Sequence, residues 1–220
     1  MNKIKIHTLL SGILLSISSL LWGQNAGRFQ GEVDALNQLE RHFSPDDRIC
    51  LFTGSSSIRM WKDVQAYFPE KKVVNTGFGG STMSDLLYYA DDLILKYKPA
   101  QVFIYEGDND IAGKIRAGRI MKTTRELIEK IRGQLPEADI VLISPKPSLA
   151  RWSMQKKYLR LNRKMARYAG HEPNMAFASV WNIMLDETGA PRKDIFLEDG
   201  LHMNKTGYDL WAGVIGGFIK

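Results

Sequence analysis

Residues 49–58 read ICLFTGSSSI. Five strand-forming positions, Ile49–Thr53, run without a charge into a glycine and three serines, so the stretch reads as a buried strand that turns sharply into another element. The same unit recurs along the chain. Val73–Asn75 leads into NTGFGGST (75–82), Gln101–Tyr105 leads into EGDND (106–110), Ile140–Ser144 forms a fourth run, and Ala176–Val180 a weaker fifth. Runs that are apolar throughout, rather than at alternate positions, suit strands covered on both faces, as in a parallel sheet.

Helical patterns separate these runs. A polar lead predicts a helix over Phe29–His42. Leu86, Ala90, Leu93 and Tyr97 form a stripe behind Ser84 as N-cap, and Leu127, Ile131 and Leu135 form another that ends at Pro136. Met154, Tyr158, Leu161, Met165 and Tyr168 are closed by Gly170, and Tyr208, Trp211, Ile215 and Phe218 line a last helix. Such stripes are core faces. Strand–helix alternation predicts an α/β fold with a central parallel sheet of about five strands and helices on both faces. Ligands in such folds gather at the carboxyl ends of the strands.

The chain has 220 residues, with 44% hydrophobic and 25% charged, which excludes a disordered chain. No repeat or low-complexity linker divides it, so a single domain over residues 24–220 is expected. Its one cysteine, Cys50, excludes a disulfide framework and a cysteine zinc site, and within the first strand it reads as a small buried hydrophobe. Lys3, Lys5 and His7 precede an uncharged, mostly apolar run from Leu9 to Trp22 that ends at Gly23. This reads as a signal peptide over residues 1–23, too short for a membrane span, which predicts an exported, periplasmic or extracellular protein. Losing Lys3 and Lys5 lowers the formal charge from +6 to +4. Without a Lys/Arg run that charge predicts no nucleic-acid partner.

The strand ends carry chemistry. Serines follow the first strand, a glycine-rich turn the second and an asparagine the third; Asp199-Gly200-Leu201-His202 precedes the last helix. A nucleophile, a base, a group to orient it and oxyanion donors are the parts acyl transfer needs. The residues alone leave the frame open among Ser55, Ser56 and Ser57. His42 and His171 have no acid three residues earlier, and His7 lies in the leader, so His202 is the candidate base.

The four blocks in this order resemble the SGNH (GDSL-type) hydrolases, esterases and lipases with a flavodoxin-like, three-layer fold. The resemblance spans residue 49 to the C-terminus. It implies Ser56 as nucleophile, His202 and Asp199 as its partners, and Ser56, Gly80 and Asn109 as oxyanion donors, with no metal or cofactor. Two positions depart from the family pattern: Ser55 stands where the usual motif has aspartate, and Ser81 follows Gly80 where many relatives have an acid.

Other motifs fail. Gly77-Phe78-Gly79-Gly80 continues with Thr82 where a dinucleotide-binding fingerprint needs glycine, and Ile58 stands where a GxSxG elbow needs one. Asp108-Asn109-Asp110 opens like a calcium loop, but Arg119 holds the place of its glutamate. Arg59 and Trp61 either line a pocket or pack the first helix. Lys146, Arg151 and Trp152 offer cation and aromatic surface to a sugar or an anionic head group. Without a long apolar loop to act as a lid, the expected substrate is a short acyl ester, such as an acetylated carbohydrate. A lysophospholipase- or lipase-type acylhydrolase is the alternative within the class, and a catalytically silent carbohydrate-binding relative the alternative outside it.

Overall fold

The computed structural model describes residues 26–39, 41, 43–44 and 47–220; the expected leader and His42 lie outside them. Five strands, β1 (Ile49–Gly54), β2 (Lys72–Asn75), β3 (Gln101–Tyr105), β4 (Asp139–Ile143) and β5 (Met175–Ala178), form one sheet in the order β2-β1-β3-β4-β5. Every pairing is parallel, with Leu51 beside Val74 on one side and Val102 on the other. Among the described residues no helix is long and apolar enough to cross a membrane.

The helices are α1 (Gln30–Gln38), α2 (Ser56–Arg59), α3 (Val64–Tyr67), α4 (Met83–Tyr88), α5 (Ala90–Leu93), α6 (Asp108–Ala112), α7 (Ala117–Gln134), α8 (Gln155–Ala169) and α9 (Lys205–Ile215). They cover both faces because strand side chains alternate. Leu51, Val102, Ile104, Ile140 and Leu142 face α1, α4, α5, α7 and α8, whereas Phe52, Phe103, Tyr105, Val141 and Ile143 face α2, α3 and α9. On the second face Phe52 stacks on Phe103 at 4.5 Å between ring centres, and Trp61 and Trp211 are fully buried beside them. Each fully buried apolar side chain of this kind contributes about 1.5–3 kcal/mol.

Three sequence expectations shift. The first helix ends at Gln38, with Leu39 already extended. The predicted Leu86–Tyr97 stripe is not one helix: α4 and α5 are followed by a 3₁₀ turn, Leu95–Tyr97, that stops at Lys98 in left-handed backbone. Nor is Ser84 the cap. Thr82 and Asp85 form a reciprocal capping box, with the Thr82 N–H donating to the Asp85 carboxylate at 2.9 Å, so the helix starts earlier. Cys50 is buried in β1, as its setting predicts.

Chain order and sheet order part company at β1. From it the chain leaves outward to β2 and then returns to β3 on its other side, so the loops after β1 and β3 diverge and open a crevice at the carboxyl edge.

Candidate active site

The crevice is built on a glycine. Gly54 ends β1 at φ +127°, and a Cβ there would stand 2.0 Å from the Tyr105 carbonyl oxygen of β3. With no side chain the two strands stay in register, and the Ser55 N–H donates to that carbonyl at 3.0 Å. The chain turns at once into α2, whose first residue is Ser56.

Opposite stands the segment before α9. An antiparallel bridge between Phe196 and Met203, and a hydrogen bond from the Leu197 N–H to the His202 carbonyl, close a tight loop. Within it Asp199 Oδ1 accepts the backbone N–H groups of Leu201 and His202, each at 2.9 Å. This turn brings Asp199 Oδ2 to 2.5 Å from His202 Nδ1. The carboxylate assigns the ring proton to Nδ1, leaving Nε2 to accept from the Ser56 hydroxyl 2.9 Å away. Partial desolvation pushes the Asp199 carboxyl up, but the His202 ring and the two backbone donors outweigh it and hold it at about 2. Asp199 is therefore ionised at any pH well above 2. The site lies on an open edge: His202 and Asp199 side chains are 23% and 47% exposed.

The candidate oxyanion donors follow the carboxyl ends of three strands, β1, β2 and β3. Gly80 has φ +71°, and a Cβ there would point into open space, so backbone conformation is what asks for glycine. Among the described residues neither the Ser56 nor the Gly80 N–H donates to a protein acceptor. Asn109, in α6, donates one amide hydrogen to the Ser81 carbonyl at 2.9 Å and accepts from the Arg151 guanidinium at Oδ1, 3.0 Å. Its second amide hydrogen is left for a ligand.

Behind these groups lies a second tier, in which the sequence reading expected Asp110 as a loop brace and missed the roles of Asp108, Glu106 and Glu32. Asp108 is buried and accepts from Arg151 at 2.6 Å, from the Tyr105 hydroxyl at 2.9 Å and from the Tyr158 hydroxyl. Burial raises its carboxyl, and Lys146 and Arg151 overcome that and lower it. Glu106, also buried, accepts from the Ser81 hydroxyl at 2.6 Å; burial first and the Asp110 charge next push its carboxyl well above the usual range. Asp110 accepts the Met83 N–H at 3.1 Å, and burial raises it to about 6. From the N-terminal helix, Glu32 accepts the Gly79 N–H through both oxygens at 3.0 and 3.1 Å, beside Phe29 packed edge-on against Phe78. The run of acids in EGDND was the available signal for Asp108; nothing local marks Glu32.

The expected substrate contacts divide. Lys146 is not at the surface: it is fully buried, donates to the Leu201 carbonyl at 2.6 Å and lies 3.7 Å from Asp108, so it braces the histidine loop. Arg151 orients Asn109. Trp152 is half-buried against Trp181. Trp61 lies in the core, whereas Arg59 is half-exposed beside Gly79, 3.4 Å from Glu32. Among the described residues no group of three or more His, Cys, Asp or Glu side chains could hold a metal ion.

The family model of the GDSL-like Lipase/Acylhydrolase family matches residues 46–210, three quarters of the chain. The chain belongs to that family. As a GDSL-like acylhydrolase it is an ester hydrolase. Solved structures share the fold of this family member. A GDSL-like lipase from Bacteroides thetaiotaomicron is 20% identical, with TM-score 0.72, over 88% of this chain and 96% of that one. An acetylxylan esterase from Geobacillus stearothermophilus, studied as a catalytic mutant, is 18% identical, with TM-score 0.64, over 80% and 94%. No curated protein matches the chain.

Proposed function

We propose that this acylhydrolase is exported and cleaves short acyl esters, such as acetyl groups on carbohydrate, by serine chemistry at Ser56. The carrying observation is the relay Ser56 Oγ–His202 Nε2–Asp199, with contacts of 2.9 and 2.5 Å. His202 takes the hydroxyl proton as Oγ bonds to the acyl carbon, then gives it to the departing alcohol as the ester C–O bond breaks. Water, deprotonated by the same nitrogen, then releases the acid and restores Ser56. Charge on the carbonyl oxygen falls to the Ser56 and Gly80 N–H groups and the Asn109 amide, each worth about 2.7–4 kcal/mol in such sites.

Short acyl groups on a carbohydrate are favoured by the open edge, where the His202 and Asp199 side chains are 23% and 47% exposed. The silent-binder alternative is disfavoured because all five groups stand in reacting order. The test is p-nitrophenyl acetate hydrolysis by the chain from residue 24, beside Ser56→Ala and Ser55→Ala. Turnover abolished in the first and kept in the second is expected. Turnover that survives Ser56→Ala, or that climbs steadily from acetyl to long-chain esters, overturns the nucleophile or the substrate class respectively.

A further inference from the structure

Residues 114–167 hold 15 of the 30 Lys and Arg but only 4 of the 24 Asp and Glu, leaving 15 against 20 elsewhere. The basic character of the chain is therefore local. It is concentrated in a cleft of about 660 Å³ between α7 and α8, lined by Lys114, Arg116, Arg119, Lys157, Arg160 and Lys164 and by no acid. Among the described residues none of these six side chains makes an ion pair or a hydrogen bond. Farther along α7, by contrast, Lys130 pairs with Asp91 at 2.6 Å and Arg132 donates to backbone carbonyls. Lys114 is held in left-handed backbone, φ 62°, in the turn that ends the Asn109-bearing α6. Six like charges facing one cavity repel each other unless a ligand neutralises them.

We infer that this cleft binds an acidic polysaccharide chain and that the bound chain carries the ester, the second part resting on the hydrolase reading of Ser56. Charge complementarity calls for a polyanion. The shape calls for a linear one, because a second cleft of about 720 Å³, which adds Arg125, Arg132 and Arg167 but also Glu129 and Glu172, continues the groove through Gly118 and Lys164. A concave groove receives a chain better than it meets a flat membrane. Its floor includes Ile111 and Ile115, which with the lysine and arginine stems offer apolar surface to sugar rings. Ile111 and Lys114 follow Asn109 by two and five residues, so the cleft begins on the segment that leaves the carboxyl end of β3.

The test is titration of the chain from residue 24 with polygalacturonate, with dextran and phosphatidylglycerol vesicles as comparisons, at two salt concentrations. Salt-sensitive binding to polygalacturonate and none to dextran is expected. The exposed triple variant Lys157→Glu/Arg160→Glu/Lys164→Glu, checked for an unchanged melting curve, should bind roughly tenfold or more weakly. It should lose a similar factor in kcat/KM on acetylated polygalacturonate while hydrolysing p-nitrophenyl acetate like the parent. Equal binding by parent and variant, no preference over dextran, or uptake by vesicles in place of polygalacturonate overturns the cleft assignment. Binding without turnover of acetylated polygalacturonate overturns the substrate clause, absence of p-nitrophenyl acetate turnover as well overturns the Ser56 reading, and turnover without binding overturns the cleft alone.

Discussion

The Arg151 guanidinium donates to Asn109 Oδ1 at 3.0 Å and so determines which end of that amide faces the ester site. With the oxygen occupied, the NH2 group points forward, one hydrogen to the Ser81 carbonyl and the other left for the carbonyl oxygen in the proposed mechanism. Arg151→Ala removes that constraint, and kcat should fall roughly ten- to a hundred-fold with little change in KM. In an Asn109→Ala background the same substitution should cost far less, since the amide it orients is gone. Additive losses in the double-mutant cycle would mean that Arg151 acts elsewhere.

Glu32 presents the parallel case for the loop carrying Gly80. Glu32→Ala leaves the Gly79 N–H without its acceptor and Arg59 without its counterion, so the neighbouring Gly80 amide loses its brace. A drop in kcat of roughly tenfold is expected, largely restored in Glu32→Gln, whose amide oxygen can still accept. Unchanged kcat in Glu32→Ala would show that the loop holds its shape unaided.

Two buried acids make stability depend on pH in a defined direction. Asp110 is raised to about 6, while an aspartate in the unfolded chain titrates near 3.9. The folded chain thus binds this proton more tightly, and the resulting stabilisation is complete below about pH 4 and lost as pH rises through 6. Glu106, raised by burial first and by the Asp110 charge next, works in the same sense. Asp199 works in the opposite sense: held at about 2, its contribution is present above about pH 4 and disappears only in strong acid. The melting temperature of the parent should therefore fall between pH 4.5 and 7.5, and that of Asp110→Asn should fall less. Equal slopes would remove Asp110 from the account.

Gly54 and Gly31 give opposite predictions for one substitution. At Gly54 an added methyl group meets the Tyr105 carbonyl in left-handed backbone, so Gly54→Ala should cost about 2–5 kcal/mol of stability and displace Ser56. Gly31 lies within α1 with nothing within 4 Å of a Cβ, and Gly31→Ala should stabilise by about 0.5–1 kcal/mol. Chemical denaturation of both variants checks the pair.

The parts of the site that were legible are those encoded by neighbours in sequence. A strand buried on both faces announces itself through Ile49–Thr53 or Gln101–Tyr105, and Asp199 reaches His202 through a three-residue turn. What escaped depends on contacts made across the fold. Lys146 looks like a surface cation in sequence, because only the assembled chain supplies Asp108 and the Leu201 carbonyl that let it be buried. Helix starts failed similarly: Ser84 and Thr82 are both competent caps, and it was Asp85, completing the box with Thr82, that decided between them.

The segment matched by the family begins at residue 46. Every group that would touch the ester lies inside it, yet the carboxylate that steadies the Gly79 amide arrives from α1, outside. A minimal enzyme trimmed to the family boundary would keep its reactive atoms and lose part of its scaffold. Grafting this catalytic segment onto another chain therefore requires carrying the N-terminal helix along with it.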